Sequence, residues 1–121
     1  MGQESAALLG FELGHVGLHM QNWEEAKAMA SILCGLFDLP VRSGPCSLFV
    51  GSMFECVVPP YWGTKGHIAI CTNDIDQAEA YLREKGVAFH ESSRQYREDG
   101  HLRTIYLKEA VNGFAIHLLQ K

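Results

Sequence analysis

Two eight-residue stretches, HVGLHMQN at residues 15–22 and HIAICTND at residues 67–74, share one pattern and decide the fold. Each begins with alternating side chains, as a β-strand with one buried face does. Each then reaches an Asn or Asp that stands three residues before Glu25 or Gln77, which is the pairing that caps the start of a helix. The chain therefore contains a tandem repeat, and each copy begins with a strand followed by a helix.

Three short strands are expected after each helix. The helical windows are residues 23–37 and 75–85, where apolar side chains recur at helical spacing, and Gly86 ends the second window. Turn sequences such as Asp99-Gly100 and Asn112-Gly113 separate the segments that follow. The strands are expected at residues 39–42, 47–50 and 53–58 in the first copy, and at residues 87–91, 102–108 and 114–119 in the second.

The repeating unit is therefore a βαβββ module. One module could hardly bury both faces of its sheet, so the two copies should pack together. We expect an α+β fold in a single domain over residues 1–121, with module 1 at about 11–60 and module 2 at about 64–121. The first eight or so residues are expected to form a short helical lead-in.

Composition excludes several classes of function. The 121 residues carry 10 basic and 14 acidic side chains, a net charge of −4, which argues against nucleic acid as a partner. No apolar run approaches the length of a membrane span, and no signal-peptide pattern opens the chain. The four cysteines show no CxxC spacing, so we expect reduced thiols in a cytoplasmic protein.

Strand alternation predicts which reactive side chains share one face. Residues i and i+2 of a strand point the same way, so His15 lies opposite the helix-facing Val16, and His67 lies opposite Ile68. In the last strand of each module, Glu55 and His117 hold matching places, each four residues after a turn glycine. The four inward positions related by the repeat are therefore those of His15, Glu55, His67 and His117.

This pattern resembles the vicinal oxygen chelate superfamily, which includes glyoxalases, fosfomycin-resistance proteins, extradiol dioxygenases and bleomycin-resistance proteins. The resemblance covers about residues 11–121 and implies an open, cup-shaped, eight-stranded sheet of the glyoxalase-like kind. It also implies a metal held by a His on the first strand and a Glu, Gln or His on the fourth strand of each module. By position these ligands are His15, Glu55, His67 and His117. The chain departs from the family at residues 109–113, which replace the usual Asp-Pro turn, and at His117, where Glu is most common.

The donor types suit a divalent metal, namely Zn, Ni, Mn or Fe(II), without choosing among them. A bound ion would polarise a carbonyl or chelate neighbouring oxygens of a substrate, and Glu55 could leave the metal to act as the catalytic base. The resemblance also places Thr104 and Tyr106, on the penultimate strand, against substrate. The alternatives are core histidines bound to backbone, and ordinary cross-strand packing for Thr104 and Tyr106.

Residues 9–17 and 113–118 are similar to the small domain that follows the aldolase domain in some bacterial 2-keto-3-deoxy-6-phosphogluconate/4-hydroxy-2-oxoglutarate aldolases. Two functions follow as expectations. One is a metal-dependent lyase or isomerase acting on a small oxo- or hydroxy-acid metabolite. The other is a non-catalytic accessory or binding domain associated with a keto-acid aldolase. A metal-free drug-binding protein is disfavoured because such proteins tend to lose the ligand set. A homodimer is expected, since an open sheet edge invites pairing.

Several other polar side chains have simpler interpretations. His19 and Cys71 lie on the same predicted face as the ligands and are expected to line the cavity. His90 and His101 stand near predicted loops and are expected to be solvated. Trp62 is expected to be a packing residue.

Overall fold

The computed structural model describes residues 3–121, with side-chain burial described from residue 6 onward. A short helix precedes two βαβββ units, so this part of the chain contains three helices and eight strands. The lead-in helix is present from residue 3, and residues 1 and 2 lie outside the described part. The elements are α1 (Gln3–Leu9), β1 (Glu12–His19), α2 (Trp23–Phe37), β2 (Val41–Ser43), β3 (Ser47–Val50), β4 (Phe54–Val57), β5 (Gly66–Thr72), α3 (Ile75–Glu84), β6 (Phe89–Tyr96), β7 (Leu102–Leu107) and β8 (Phe114–Gln120).

All eight strands form one open mixed sheet in the order β2-β3-β4-β1-β5-β8-β7-β6. The first strands of the two modules, β1 and β5, pair antiparallel at its centre. Each of them pairs parallel with the last strand of its own module, β4 or β8. The prediction of an α+β fold with an open eight-stranded sheet is therefore confirmed.

Both predicted helix caps are present. The Asn22 side-chain oxygen accepts a hydrogen bond from the Glu25 amide at 2.9 Å, and the Asp74 side chain accepts one from the Gln77 amide at 3.1 Å. These bonds satisfy amide groups that have no partner inside the helix. Gly86 follows the second helix with φ of +91°. Glycine adopts this left-handed conformation easily and often ends helices.

The strand boundaries differ from the predictions mainly at two places. The predicted strand at 39–42 lies at Val41–Ser43, and the one at 87–91 extends through Phe89–Tyr96. The longer β6 continues past an irregularity between His90 and Gln95, because Gln95 and Tyr96 pair again with β7. Alternation alone does not reveal such irregularities.

The helices cover the outer strands of one sheet face. Helix α2 buries Ala26 and Ala30 against apolar side chains of β3 and β4, including Val50 and Cys56. Helix α3 packs in the same way on β7 and β8, with Ile75, Ala78 and Tyr81 in its core. The opposite face of the sheet, which we call the inner face, carries the polar side chains described next.

Candidate metal centre

The first row of the site runs across the middle of the sheet. Gly17 on β1 pairs with Glu55 on β4 and with His67 on β5. A Cβ atom on residue 17 would lie only 2.0–2.4 Å from three atoms of the His67 ring. Glycine at this position therefore makes the space in which the His67 imidazole lies.

The second row lies two residues along the same strands. Ala69 on β5 pairs with His15 on β1 and with His117 on β8, and it is completely buried. As in the first row, a small residue stands between two large polar ones. The two rows thus bring all four predicted ligands to one face, two from each module.

The three histidines converge, and Glu55 reaches two of them. One ring nitrogen from each of His15, His67 and His117 lies within 4.8 Å of the other two. The Nε2 atoms of His15 and His67 are 3.2 Å apart, and Glu55 Oε1 lies 3.4 Å and 3.1 Å from them, respectively. Only 4% of the His67 side chain is exposed to solvent, against 16% for Glu55.

These separations fit a bound ion. Two ligand atoms about 2.1 Å from a common ion, at angles near 90–110°, are about 3.0–3.4 Å apart. The three short distances among His15, Glu55 and His67 all lie in that range. Three imidazoles with one carboxylate also form a donor set suited to a transition-metal ion.

The hydrogen bonds of His117 leave one of its nitrogens free for a ligand role. Thr104 Oγ1 donates its only hydrogen to the Leu118 carbonyl oxygen at 2.6 Å, so it must accept from His117 Nδ1, which is 2.7 Å away. His117 Nε2 then carries a lone pair, and this buried atom has no hydrogen-bond partner among the described residues. Burial also lowers the pKa of His117 to about 3, with the neighbouring His67 and His15 acting in the same direction. The ring is therefore neutral, as metal binding requires.

Glu55 is held in its ionised form. Burial alone would raise its pKa, but hydrogen bonds from His15, His67 and Ser47 outweigh that effect and hold the pKa of Glu55 well below its ordinary value. Ser47 Oγ donates to Glu55 Oε2 at 2.7 Å, which leaves Oε1 directed at the two histidines. An ionised carboxylate in this position is well suited to bind a cation.

Tyr106 borders the centre on the module 2 side. Its ring stacks on His117 with centroids 4.5 Å apart, and it pairs across β7 and β8 with the same residue. Burial, with smaller effects of Glu55 and Cys46, raises the pKa of the Tyr106 hydroxyl far above its ordinary value. The phenol therefore keeps its proton and can donate a hydrogen bond to a bound molecule.

Thr104 has contacts that the sequence did not indicate. We predicted that it contacts substrate, and in the structure it is buried and bound to His117 and Leu118. Its role against substrate stays a prediction, while its contact with His117 orients a candidate ligand.

The Thr104 contact gives a first testable prediction. We expect Thr104→Val to weaken metal binding by roughly 10–100-fold, the usual effect of losing a group that orients a ligand. Thr72→Val is a matched control, because Thr72 is also buried and donates to a carbonyl, that of Leu9, at 2.7 Å. Metal titrations of both variants measure the difference, and equal affinities would contradict the role of Thr104.

The residues between the two modules also reach the site, which strand alternation could not show. The Tyr61 ring stacks on His19 at 4.0 Å, and the Trp62 ring stacks on His90 at 4.4 Å. The segment is anchored by the amides of Thr64 and Lys65, which both donate to the Gly113 carbonyl oxygen. Linker residues are thus part of the wall of the site. In the sequence, only the adjacent aromatic residues Tyr61 and Trp62 hint at this role.

Arg42 extends the first row on the module 1 side. Ser47 and Phe49 share the inner face with Glu55, and Arg42 pairs with Phe49 across β2 and β3. The Arg42 guanidinium lies 4.4 Å from the centre of the Phe49 ring. A positive charge therefore stands at the outer, solvent-exposed end of the inner face.

Other polar side chains have structural roles elsewhere. Arg94 binds Glu79 through two hydrogen bonds of 3.0 Å and 2.6 Å, and so joins β6 to α3. His101 is exposed, as predicted. His90 is half-buried against Trp62, so the prediction that it is solvated was wrong in this respect.

Solved structures with the same architecture cover nearly the whole chain. Methylmalonyl-CoA epimerase from Mycobacterium tuberculosis superposes with a TM-score of 0.66 at 11% identity, covering 93% of this chain and 89% of its own. A Streptomyces coelicolor methylmalonyl-CoA epimerase variant in complex with 2-nitronate-propionyl-CoA gives 0.64 at 16% identity, covering 90% and 96%. A hypothetical protein from Bacillus halodurans gives 0.63 at 18% identity, covering 93% and 95%. The fold is glyoxalase-like.

These likenesses show the fold, and the identities are too low to transfer an activity. No protein-family model matches the chain, and no curated protein matches it. None of the helices between residues 3 and 121 is long and apolar enough to cross a membrane.

Proposed function

We propose that the protein binds one divalent metal ion through His15, Glu55, His67 and His117. The observation that carries the proposal is the convergence of three histidine nitrogens within 4.8 Å, with a carboxylate oxygen 3.1 Å and 3.4 Å from two of them. The buried lone pair of His117 Nε2 supports it, because an unpartnered buried nitrogen is costly unless something binds there. Zn, Ni, Mn and Fe(II) all suit this donor set.

We propose further that this centre acts on a small oxo- or hydroxy-acid metabolite, as an isomerase or a lyase. A bound ion would polarise a carbonyl oxygen of such a molecule and stabilise enolate-like charge. Tyr106 lies beside His117 and keeps its hydroxyl proton, which makes it a candidate hydrogen-bond donor to the substrate. Solved structures of the same fold include epimerases bound to acyl-CoA ligands, which fits a carbonyl substrate.

Arg42 supports the acid character of the substrate. Its guanidinium packs over Phe49 on the inner face and has no carboxylate partner among residues 6–121. A guanidinium held in this way can bind a carboxylate through two parallel hydrogen bonds.

Glu55 is the candidate base, but only after a change in its contacts. Its hydrogen bonds with His15 and His67 keep its pKa low, and a base is most effective when its pKa lies near the working pH. Loss of those contacts would raise the pKa of Glu55 toward a useful range. As the site stands, the geometry favours Glu55 as a ligand.

The second candidate function is a binding-only accessory domain beside a keto-acid aldolase. The single carboxylate of the centre favours its binding-only part, because His117 holds the position that the repeat makes equivalent to Glu55. Moving a proton on both faces of a carbon generally uses two basic groups. Proton exchange into 2-oxo acids in deuterated water, followed by NMR with the metal-loaded protein, separates the two functions: exchange that is lost in Glu55→Gln supports catalysis.

Metal-dependent stability tests the proposed centre. At pH 8 we expect Zn²⁺ or Ni²⁺ at about 100 times its Kd to add about 2.7 kcal/mol to the free energy of unfolding. For a chain of this size that corresponds to a rise in Tm on the order of 10 °C. Mg²⁺, which prefers oxygen ligands, should have little effect. Melting curves that are unchanged by Zn²⁺ and Ni²⁺ at pH 8 would overturn the proposal.

The same measurement at pH 5 has a definite expected sign. Because the folded-state pKa values of His117 and His19 are lowered to about 3 and 4, the unfolded chain takes up more protons below pH 6.5. The metal-free protein should therefore lose stability as the pH falls from 6.5 toward 4, with Glu55 adding to the loss below about 4.5. Protons also compete with metal for the ligands, so the metal-induced rise in Tm should be much smaller at pH 5 than at pH 8.

We also propose that the protein is a homodimer. Helix α2 covers β3 and β4 and helix α3 covers β7 and β8, so the central strands β1 and β5 lie between the helices on the outer face. In the cross-strand pairs Leu13–Ile70 and Val16–Ile68, Leu13 is exposed and the other three side chains are only partly buried. Leu13 keeps 62% of its surface exposed. A second copy packed on this apolar strip would remove it from water.

Substitution of Leu13 tests the dimer. We expect Leu13→Glu to give a monomer in light scattering, because a charge on the strip would have to be buried on association. Val111→Glu is the control, since Val111 is similarly exposed, at 55%, but lies at the β7–β8 turn. A wild-type particle of 13.5 kDa at every concentration would refute the dimer.

A cytoplasmic location stays a prediction.

A further inference from the structure

His19 stands next to the metal centre without belonging to the four proposed ligands. It lies on β1, two residues after Gly17 and on the same inner face. Its Nε2 atom is 2.9 Å from Nδ1 of His67, the nitrogen of that ring that faces away from the centre. The other nitrogen, Nε2 of His67, is the one that meets His15 and Glu55.

Proton positions follow from this arrangement. If Nε2 of His67 gives its lone pair to a metal, Nδ1 of the same neutral ring must carry the hydrogen. His19 Nε2 lies 2.9 Å from His67 Nδ1 and must therefore accept this hydrogen. His67 and His117 then each donate to a neighbouring acceptor, His19 Nε2 and Thr104 Oγ1 respectively.

His19 is itself held in place. Tyr61 stacks on its ring with centroids 4.0 Å apart and planes 20° apart. Tyr61 belongs to the segment that joins the two modules, so this stack connects the module linker to a candidate ligand. A ring fixed on its face by Tyr61 has little freedom to turn away from His67.

We propose that His19 is the positioning residue for His67. Its Nε2 accepts the Nδ1 hydrogen of His67 and orients the ring so that the opposite nitrogen faces Glu55 and His15. The proposal rests on the proposed function in one respect, that His67 Nε2 is a metal ligand. Loss of such a supporting acceptor typically weakens metal binding by 10–100-fold.

The direct test is NMR of the ¹⁵N-labelled, Zn²⁺-loaded protein. We expect a slowly exchanging Nδ1 hydrogen on His67 and a scalar coupling between the His67 Nδ1 and His19 Nε2 nitrogens through the hydrogen bond. In His19→Leu the hydrogen should exchange with solvent, the coupling should vanish, and zinc affinity should fall by roughly 10–100-fold. His19→Gln, whose amide oxygen can accept the same bond, should restore slow exchange and part of the affinity.

The outcomes separate this inference from the metal site itself. If wild-type protein does not bind Zn²⁺, the proposed function fails, and a missing coupling between the two histidines in metal-free protein would overturn the role of His19 as well. If Zn²⁺ binds but the coupling is absent, or if His19→Leu binds Zn²⁺ as tightly as wild type, the role of His19 is overturned. His101→Leu, at an exposed histidine, is the control and should leave both readings unchanged.

Discussion

Replacing His67 with alanine is expected to remove the bound metal almost completely. His67 is the most central of the proposed ligands, since its Nε2 atom lies 3.2 Å from His15 Nε2 and 3.1 Å from Glu55 Oε1. Loss of a ligand should cost more than the roughly 10–100-fold that loss of a supporting contact costs. Metal analysis of untagged protein, together with zinc titration, measures the effect.

The control for His67 is His101, which is exposed and lies on the turn between β6 and β7. We expect His101→Ala to retain the metal content of wild type. Because His67 is buried, the alanine variant also leaves a cavity, so His67→Gln, which is closer in volume, is measured beside it. Equal metal content in the His67 and His101 variants would contradict the assignment of the centre.

The fold could be read from the sequence because its signals are local and occur twice. The capping pairs at Asn22 and Asp74 fix two helix starts, and each follows a strand of alternating character. Once two copies of one module are recognised, residues equivalent in the repeat must hold equivalent places in the sheet. That reasoning brought His15, Glu55, His67 and His117 to one face, as the structure shows.

What the sequence could not show depends on geometry between strands and in connections. The pairing of β1 with β5 shifts between Leu13 and His15, so these residues lie on opposite faces although they are two apart. The bond between His19 and His67 depends on the register of the same two strands. Tyr61 and Trp62 were outside any periodic segment, so no pattern indicated that they stack on His19 and His90.

Small residues decide where the large ones can lie, and this is the least visible part of the sequence. Strand alternation places Gly17 and Ala69 on the face of His15 and His67, and nothing else in the sequence marks them. The structure shows each as the centre of a row, with a ligand on either side. A larger side chain at either place would crowd the candidate ligands beside it.

Gly17→Ala should therefore disable the proposed metal centre without replacing any of its ligands. The added Cβ would lie 2.0–2.4 Å from His67 ring atoms, far inside contact distance. The ring is buried and bound to His19 at 2.9 Å, so it can move only by breaking that bond and leaving Glu55. We expect metal affinity to fall by at least the roughly 10–100-fold that misplacing a ligand costs. Overpacking should also lower the free energy of unfolding by about 1–3 kcal/mol.

Gly35→Ala is the matched control for this substitution. Gly35 lies in α2 with open space around it, so a methyl group there meets no neighbour within 4 Å. Alanine in a helix is more favourable than glycine by roughly 0.5–1 kcal/mol, so this variant should be slightly more stable and should bind metal as wild type does. Circular dichroism at low temperature confirms that both variants are folded before zinc titration. Wild-type affinity in Gly17→Ala would show that the His67 ring is free to move, and the close approach of β1 and β5 would then have no role in holding the metal.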